Sequence, residues 1–319
     1  MMKTKKTAAK KTVAKKTGQK KAAPKKPASK NAAAQQKKPA AKVKTTPAAP
    51  MRGKLLAAEP APYRVENRNG KAAGLVICDH ASFRVPRKLK DLGLKKTFLK
   101  RHIGWDIGAE EAALHISSVF DMPAVVAQYS RLVVDLNRAP DYCECMPEVS
   151  DNIKIPANAG LSKKDKEKRL NEIYWPYHKA VTRLIDRQVA AKKPPLLLFV
   201  HSFTPHMDGE LRPWHISVLW KKEEKIAKKV VQTLRAAHPG LLIGENNPYA
   251  LSGERFAGSS VWRHAEDRNL PYVLVEFRQD LVDTQEKAIE WAEIFIDAVR
   301  PVLRDPETFA DRKIKSGKN

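Results

Sequence analysis

The chain has 319 residues, a net charge of +25 and an apolar fraction of 42%. This length suffices for one large or two small domains, and the apolar fraction is adequate for a folded core. The charge would suggest a nucleic-acid-binding protein if it were spread evenly along the chain. However, residues 1–54 contain eighteen basic residues and no acidic one, so the other 265 residues have a net charge of only +7.

Residues 1–54 form a Lys-, Ala- and Pro-rich tail that cannot bury enough apolar surface to fold, so we predict that it is disordered. Its lysines make it a candidate site for nucleic acid or another polyanion. The tail lacks the apolar run of a secretory signal and the Arg and Ser of a mitochondrial transit peptide. No later segment reaches the roughly 20 apolar residues that span a bilayer. We therefore expect a soluble, cytoplasmic protein without a membrane span.

The three cysteines, Cys78, Cys143 and Cys145, cannot all pair, and an odd number without a disulfide framework fits a reducing compartment. Cys143 and Cys145 lack both the two-residue spacing and the second pair of a structural zinc site. We therefore expect these thiols to be structurally neutral.

From residue 55 onward, short apolar runs alternate with longer amphipathic ones, and no second linker interrupts them. The apolar runs predict strands at 74–80, 124–128, 196–201, 215–220, 241–245 and 272–277. The amphipathic runs predict helices at 105–120, 163–191, 222–237, 257–268 and 282–304. This alternation predicts one α/β domain over residues 55–319, with a mostly parallel or mixed central sheet and helices on both faces.

Four predicted strands end in a residue that can take part in chemistry: His80, His201, Glu245 and Glu276. In open α/β sheets the ligand site lies outside the carboxyl ends of the strands, so these side chains are candidates for one site. A catalytic zinc ion binds three His, Asp or Glu ligands and keeps one position open. His80 and His201 fit this role, together with Asp106, which could instead cap a helix.

Glu276 is the candidate general base for a metal-activated water, although an ion pair with Arg278 or another basic residue is the simpler alternative. The segment "YSRLVVDLNRAPD" adds Arg131, Asn137 and Arg138. Arginine binds carboxylates in a bidentate manner, so these residues could hold an anionic substrate group. Alternatively, Asp135 and Arg138 could fix the loop that follows a strand.

Three further histidines are less informative. His215 begins a predicted strand, where it could line the pocket or orient a metal ligand. His206 lies in a turn-like segment and is expected at the surface. His264 lies on a predicted helix, where lining the pocket and facing solvent are equally compatible with the sequence.

Seven blocks in this order resemble the N-formylglutamate amidohydrolase family: "CDHAS" with a following "VP" (78–86), "HIGWDIGA" (102–109), "YSRLVVDLNR" (129–138), "HSFTP" (201–205), "RPWHISVL" (212–219), "GENNPY" (244–249) and "VEFRQDL" (275–281). The resemblance covers residues 60–305. It implies a phosphorylase/hydrolase-like fold similar to zinc carboxypeptidases and aspartoacylases. It also implies a metal-dependent hydrolase that cleaves N-formyl-L-glutamate to formate and glutamate.

The resemblance implies roles for individual residues. His80, Asp106 and His201 would bind the metal, and Glu276 would activate water. Asn137 and Arg138 would bind a substrate carboxylate, Arg131 or Arg212 would bind a second one, and His215 would contribute to the pocket. Zinc is the expected ion, although iron, manganese and cobalt suit the same ligands.

The chain departs from the related patterns at two points. Zinc carboxypeptidases have a glutamate three residues after the first histidine, where this chain has Phe83, and Asp79 is therefore an alternative to Asp106 as the middle ligand. Family members commonly have "PHSG" or "EHAG" where this chain has "CDHAS". This difference leaves the acyl group and the amino acid of the substrate open.

Overall fold

A computed structural model describes residues 53–207 and 209–317, so almost all of the tail predicted to be disordered lies outside the described residues. The strands are β1 (Tyr63–Glu66), β2 (Gly74–Cys78), β3 (Ala124–Ala127), β4 (Val149–Ser150), β5 (Ile153–Lys154), β6 (Leu196–Phe203), β7 (His206–Met207), β8 (Glu210–Leu211), β9 (Ile216–Leu219), β10 (Ile243–Glu245) and β11 (Tyr272–Arg278).

The α-helices are α1 (Lys96–Leu99), α2 (Ala109–Phe120), α3 (Lys163–Arg169), α4 (Trp175–Ala190), α5 (Glu224–Ala237), α6 (Gly253–Phe256) and α7 (Gln285–Arg304). Two π-helical turns, Leu170–Tyr174 and Trp262–Glu266, and several 3₁₀ turns complete the described structure. Within residues 53–207 and 209–317, no helix combines the length and apolar content needed to cross a membrane.

Seven strands form the central sheet in the order β1-β3-β2-β6-β11-β9-β10. Strands β3, β2, β6 and β11 are parallel, whereas β1 and the β9-β10 pair run in the opposite direction to their neighbours β3 and β11. The sheet is therefore mixed, as the alternation of apolar and amphipathic runs allowed. Two short hairpins, β4-β5 and β7-β8, lie outside it.

Helices cover both faces of this sheet. Successive residues of the central strands face opposite sides, so in β6 Val200 packs into one apolar cluster and Phe199 into the other. One cluster joins the sheet to α2, α5 and α7, and the second joins it to α4 and to the loops beside it. Burial on both faces explains why these strands are almost continuously apolar in sequence.

Candidate active site

His201 and Glu276 are neighbours on the two central strands. β6 and β11 pair in parallel with His201 opposite Glu276, and both side chains are buried. Each lies two residues after an apolar side chain of the same cluster, Phe199 in β6 and Leu274 in β11. Because side chains alternate along a strand, His201 and Glu276 point to the same face of the sheet.

His80 and Asp106 come from two turns beside these strands. His80 follows β2, which is the other neighbour of β6, and its carbonyl accepts a hydrogen bond from the Asp106 N–H at 3.0 Å. The residue that caps α2 is Gly108, with a φ of 75°. A Cβ at Gly108 would lie 2.0 Å from the carbonyl oxygen of Val282, so glycine is required for this close approach. Asp106 therefore does not cap the helix, and its carboxylate faces the two histidines.

Three potential metal-ligand atoms, one each from His80, Asp106 and His201, lie close together. Oδ2 of Asp106 lies 3.2 Å from Nδ1 of His80 and 2.8 Å from Nδ1 of His201. The potential ligand atoms of the three residues lie within 4.8 Å of one another, and all three residues are buried. In the described part of the chain, this is the one group of three or more His, Cys, Asp or Glu residues close enough to hold a metal ion.

The opposite nitrogen of each imidazole ring faces a carboxylate. Nε2 of His80 lies 2.7 Å from Oδ1 of Asp135, and Nε2 of His201 lies 3.4 Å from Oδ2 of Asp79. Asp79 is fixed in turn by hydrogen bonds from the hydroxyls of Tyr177 and Ser260. Asp79 thus lies behind the His201 ring, apart from the three converging atoms. A carboxylate in this position fixes the tautomer and orientation of a metal-binding histidine.

Arg131 connects the two aspartates that flank His80. Its guanidinium donates from Nη1 to Oδ1 of Asp106 at 3.3 Å and from Nη2 to Oδ2 of Asp135 at 2.7 Å. Arg131 therefore engages Oδ1 of Asp106, whereas Oδ2 faces the histidines and also accepts a hydrogen bond from the Ser202 N–H at 3.4 Å. Two buried carboxylates already neutralise this arginine.

The cluster has an excess of negative charge. Burial alone would lower the pKa of His201, but the neighbouring carboxylates of Asp106 and Asp79 raise it to about 10. Burial would raise the pKa of Asp106, yet His80 and His201 hold it well below its usual range. The pKa of Glu276 is raised to about 7 by burial and by the charge of Asp106, against the opposing effect of the histidines. The site therefore favours a cation, as a proton or as a metal ion.

These residues line an open cleft. Its wall contains His80, Asp106, His201 and Glu276, and also Asn137 and Arg138. The Asn137 amide oxygen accepts a hydrogen bond from the N–H of Ser260, which directs the amide NH₂ group away from that contact. A second cavity beside the cleft shares Asp106, Arg131, Ser202, Tyr249 and Arg255 with it.

Three other residues that the sequence offered as site candidates do not line the cleft. Arg212 does not line the cleft. Its guanidinium donates a hydrogen bond to the hydroxyl of Tyr249, and Tyr249 does line the cleft. His215 accepts a hydrogen bond from the N–H of Leu242 and stacks on Trp291, and it lines neither cavity. Glu245 forms ion pairs with two basic residues of α5 instead of joining the other strand ends.

The remaining histidines also have defined surroundings. His206 is exposed in the β7-β8 hairpin, as expected from its turn-like sequence. His264 is fully buried in the second π-helical turn, where its Nε2 lies 2.9 Å from Nδ1 of His178. The sequence offered only pocket lining or solvent exposure for His264, and both were wrong, because the neighbouring α4 covers it.

The family model of N-formylglutamate amidohydrolase matches residues 72–282. The chain belongs to the N-formylglutamate amidohydrolase family. A crystal structure of a gene product of Agrobacterium tumefaciens is similar over 78% of this chain and 99% of its own, with 30% identity and a TM-score of 0.73. The N-formylglutamate amidohydrolase of Ralstonia eutropha JMP134 is similar over 77% of this chain and 98% of its own, with 17% identity and a TM-score of 0.50. A search of curated proteins found no match.

The family match confirms the resemblance seen in the sequence, and the mixed seven-stranded sheet with helices on both faces confirms the predicted α/β fold. The sequence did not reveal four residues of the site: Asp135 as the partner of His80, Tyr177 and Ser260 as partners of Asp79, and Arg255 in the cleft wall. The sequence could have indicated a role for Asp135, since it lies in the "DLNR" part of a block that resembles the family. No sequence pattern indicated a role for Arg255, because it lies on a four-residue helix far from any strand end.

Proposed function

We propose that this member of the family is a zinc-dependent amidohydrolase that cleaves the N-formyl, or a related N-acyl, amide of an acidic amino acid such as N-formyl-L-glutamate. The observation that carries the proposal is the convergence of His80, Asp106 and His201 in one cleft with Glu276 beside them. The products would be formate and glutamate.

The donor set fits a catalytic zinc ion. Two imidazoles and one carboxylate are ligands that zinc prefers, and three protein ligands leave one position open. Both rings face a carboxylate on their far side, and Arg131 holds Oδ1 of Asp106, which leaves Oδ2 as the oxygen that faces the rings. The carboxylates of Asp106 and Asp79, which raise the pKa of His201, would also stabilise a metal cation that takes the place of its proton.

Glu276 is the proposed general base and acid. A divalent metal held by the three ligands supplies Lewis-acid chemistry, lowering the pKa of a water molecule toward about 7 and polarising the acyl carbonyl. The Glu276 carboxylate, with its pKa raised to about 7, accepts the proton of the attacking water. As the C–N bond breaks, Glu276 returns that proton to the amide nitrogen, which leaves as the amine of the amino acid.

Asn137 and Arg138 are the proposed binding site for the substrate α-carboxylate. Arg138 is 7% exposed, and its Nη1 donates to the carbonyl of Asn137. In the described part of the chain, neither the Asn137 side-chain NH₂ nor Nη2 of Arg138 has a hydrogen-bond partner. Both residues line the cleft, so these donors are available to a carboxylate.

The proposal is tested with the purified full-length chain by measuring its metal content and formate release from N-formyl-L-glutamate. Removal of the metal with a chelator should abolish formate release, and zinc should restore it. His201→Ala should lose both the metal and the activity, whereas His206→Gln, in the exposed hairpin, should retain both. Formate release that is unaffected by chelation, or an inactive protein that binds no zinc, would contradict the proposal.

A second proposal concerns the tail, because residues 1–50 contain sixteen lysines and no acidic residue. Such a segment binds phosphate backbones through counterion release, so affinity should fall steeply with salt. Binding of the chain to double-stranded DNA at several salt concentrations, with and without residues 1–50, tests this. DNA binding that survives the deletion at moderate salt would show that the tail is not responsible.

A further inference from the structure

A dicarboxylic substrate needs a second cationic contact, and the structure narrows the choice of arginine. Arg131 already binds two buried aspartates. Arg212 lies outside the cleft wall, where it packs on the Tyr249 ring and donates to its hydroxyl. Neither guanidinium is free to bind a substrate without breaking these contacts. In the described part of the chain the arginines of the cleft wall are Arg131, Arg138 and Arg255, which leaves Arg255 on α6 for the second carboxylate.

The backbone of Arg255 is held in place by a buried neighbour, whereas its side chain is accessible from the cleft. The next residue, Phe256, is buried in the core, which fixes the short helix α6. The Arg255 guanidinium lies 5.4 Å from the Tyr249 ring centre, and the side chain is 46% exposed. It lines both the cleft and the neighbouring cavity, so it faces the space between them.

Arg255 and Arg138 share a single carboxylate, that of Glu144. Nε of each arginine lies 3.4 Å from Oε2 of Glu144, so the two Nε atoms are less than about 7 Å apart. These contacts are long for charge-assisted hydrogen bonds, and the Glu144 side chain is 44% exposed. Glu144 is therefore a weakly held counter-ion between two cations that a second carboxylate could replace.

Resting on the function proposed above, we infer that Arg255 binds the side-chain carboxylate of the substrate and that this carboxylate displaces Glu144. The substrate class is then the N-acyl derivatives of dicarboxylic amino acids, with the α-carboxylate at Asn137 and Arg138. A diacid with two or three carbons between its carboxylates spans the separation of the two arginines. Arg255 is thus the residue that distinguishes glutamate derivatives from their neutral glutamine counterparts.

The test compares N-formyl-L-glutamate with N-formyl-L-glutamine, which differ only in that carboxylate. Arg255→Gln should lower kcat/KM for the glutamate derivative about ten- to a hundredfold while changing that for the glutamine derivative less than about threefold. Arg255→Lys should retain part of the preference, and Arg300→Gln, on the distant helix α7, should retain all of it. Equal loss for both substrates, or no loss for either, would overturn the inference.

A direct binding measurement keeps the test independent of the proposed reaction. Titration calorimetry with L-glutamate and L-glutamine as probes reports the subsite even if no formyl compound is hydrolysed. Glu144→Gln should strengthen L-glutamate binding, because a neutral amide does not compete for the arginines, and Arg255→Gln should remove the preference for L-glutamate over L-glutamine. Weaker L-glutamate binding by Glu144→Gln, or a preference that survives Arg255→Gln, would contradict the inference.

Discussion

Glu276 shows how one residue acquires a function from its position. It ends a buried strand next to His201, and its burial raises its pKa to about 7, close to the pH at which a general base works best. The alternative from sequence, an ion pair with Arg278, does not form: Arg278 instead pairs with Asp280 at 2.8 Å. The Glu276 carboxylate therefore lines the cleft without this ion pair.

The first prediction concerns this carboxylate. Glu276→Gln should lower kcat about 10²- to 10⁴-fold, because the amide cannot accept the proton of the attacking water. Zinc content should be unchanged, since Glu276 is not one of the three converging ligands. Stopped assays of formate and metal analysis measure both quantities, with the exposed Glu290→Gln as the control. A variant that keeps a tenth of the wild-type kcat would rule out Glu276 as the base.

The second prediction concerns Asp135, which contacts both His80 and Arg131. Asp135→Asn should weaken zinc affinity about 10- to 100-fold, because the His80 ring loses the carboxylate that orients it. Competition with a chromophoric chelator measures this affinity, and excess zinc should restore kcat. The surface variant Asp283→Asn is the matched control. Unchanged affinity in a folded Asp135→Asn protein would refute the orienting role.

At the level of elements, the turn before α2 controls the position of Asp106. Gly108 has a positive φ and lies against the backbone of Val282, so a Cβ there collides with a carbonyl oxygen. Gly160 also has a positive φ, of 65°, but a Cβ there meets nothing within 4 Å. The two glycines therefore separate the effect of backbone strain from the effect of a steric clash.

The third prediction follows from this pair. Gly160→Ala should lower the free energy of unfolding by about 1 kcal/mol, the cost of a left-handed conformation for alanine. Gly108→Ala should cost at least about twice as much and should also reduce zinc binding, because α2 must shift and carry Asp106 with it. Urea unfolding and metal titration provide the two measurements. Equal costs for the two variants would show that the Val282 contact relaxes freely.

The strand ends could be predicted from sequence because a buried strand leaves a long apolar run that stops where the site begins. The antiparallel edge strand β1 was missed, because "YRVE" is short and only half-buried on all four residues. The direction of β9 and β10 leaves no trace in composition, so the sequence could not choose between a parallel and a mixed sheet. It also grouped Glu245 with the other strand ends, although its ion pairs turn it toward α5.

The helices show a similar limit. The predicted helix 163–191 is observed as α3, a π-helical turn at Leu170–Tyr174 and α4, with Pro176 at the start of α4. Proline cannot donate the hydrogen bond of a regular helix, and the change of hydrogen-bonding pattern occurs just before it. The predicted helix 257–268 is shorter in the structure: it covers residues 260–266 and ends with the π-helical turn Trp262–Glu266, and its burial against α4 leaves no local pattern in the sequence.

On the scale of the whole molecule, α4 and the second π-helical turn bury a pair of histidines, His178 and His264. Burial and the nearby Arg263 lower the pKa of His178 to about 3, below its ordinary value. The folded state therefore keeps this ring neutral, whereas the unfolded chain binds a proton below about pH 6.5. The contribution of the neutral His178 ring to the free energy of unfolding should be fully present above pH 6.5 and should be lost as the pH drops from there toward 3.

The fourth prediction is the size of this effect. Between pH 7 and pH 5 the wild type should lose about 2 kcal/mol more unfolding free energy than His178→Gln, which has no proton to take up at that position. Urea unfolding at the two pH values measures the difference, and His206→Gln, at an exposed site, should behave like the wild type. An identical loss in His178→Gln and the wild type would contradict the assignment of acid sensitivity to this pair.

The fifth prediction places the start of the folded unit. Leu55 is fully buried, and the N–H groups of Leu55 and Leu56 each donate to the Glu172 carboxylate at 2.8 Å. A chain that begins at residue 53 retains these contacts, and we expect its free energy of unfolding to equal that of the full-length protein. A chain that begins at residue 57 should lose about 2–4 kcal/mol, because it lacks one buried leucine and leaves Glu172 without its two donors. Urea unfolding of the three proteins decides the boundary: equal stability of the two truncated forms would show that Leu55 contributes nothing, and a loss already at residue 53 would show that the basic tail takes part in the fold.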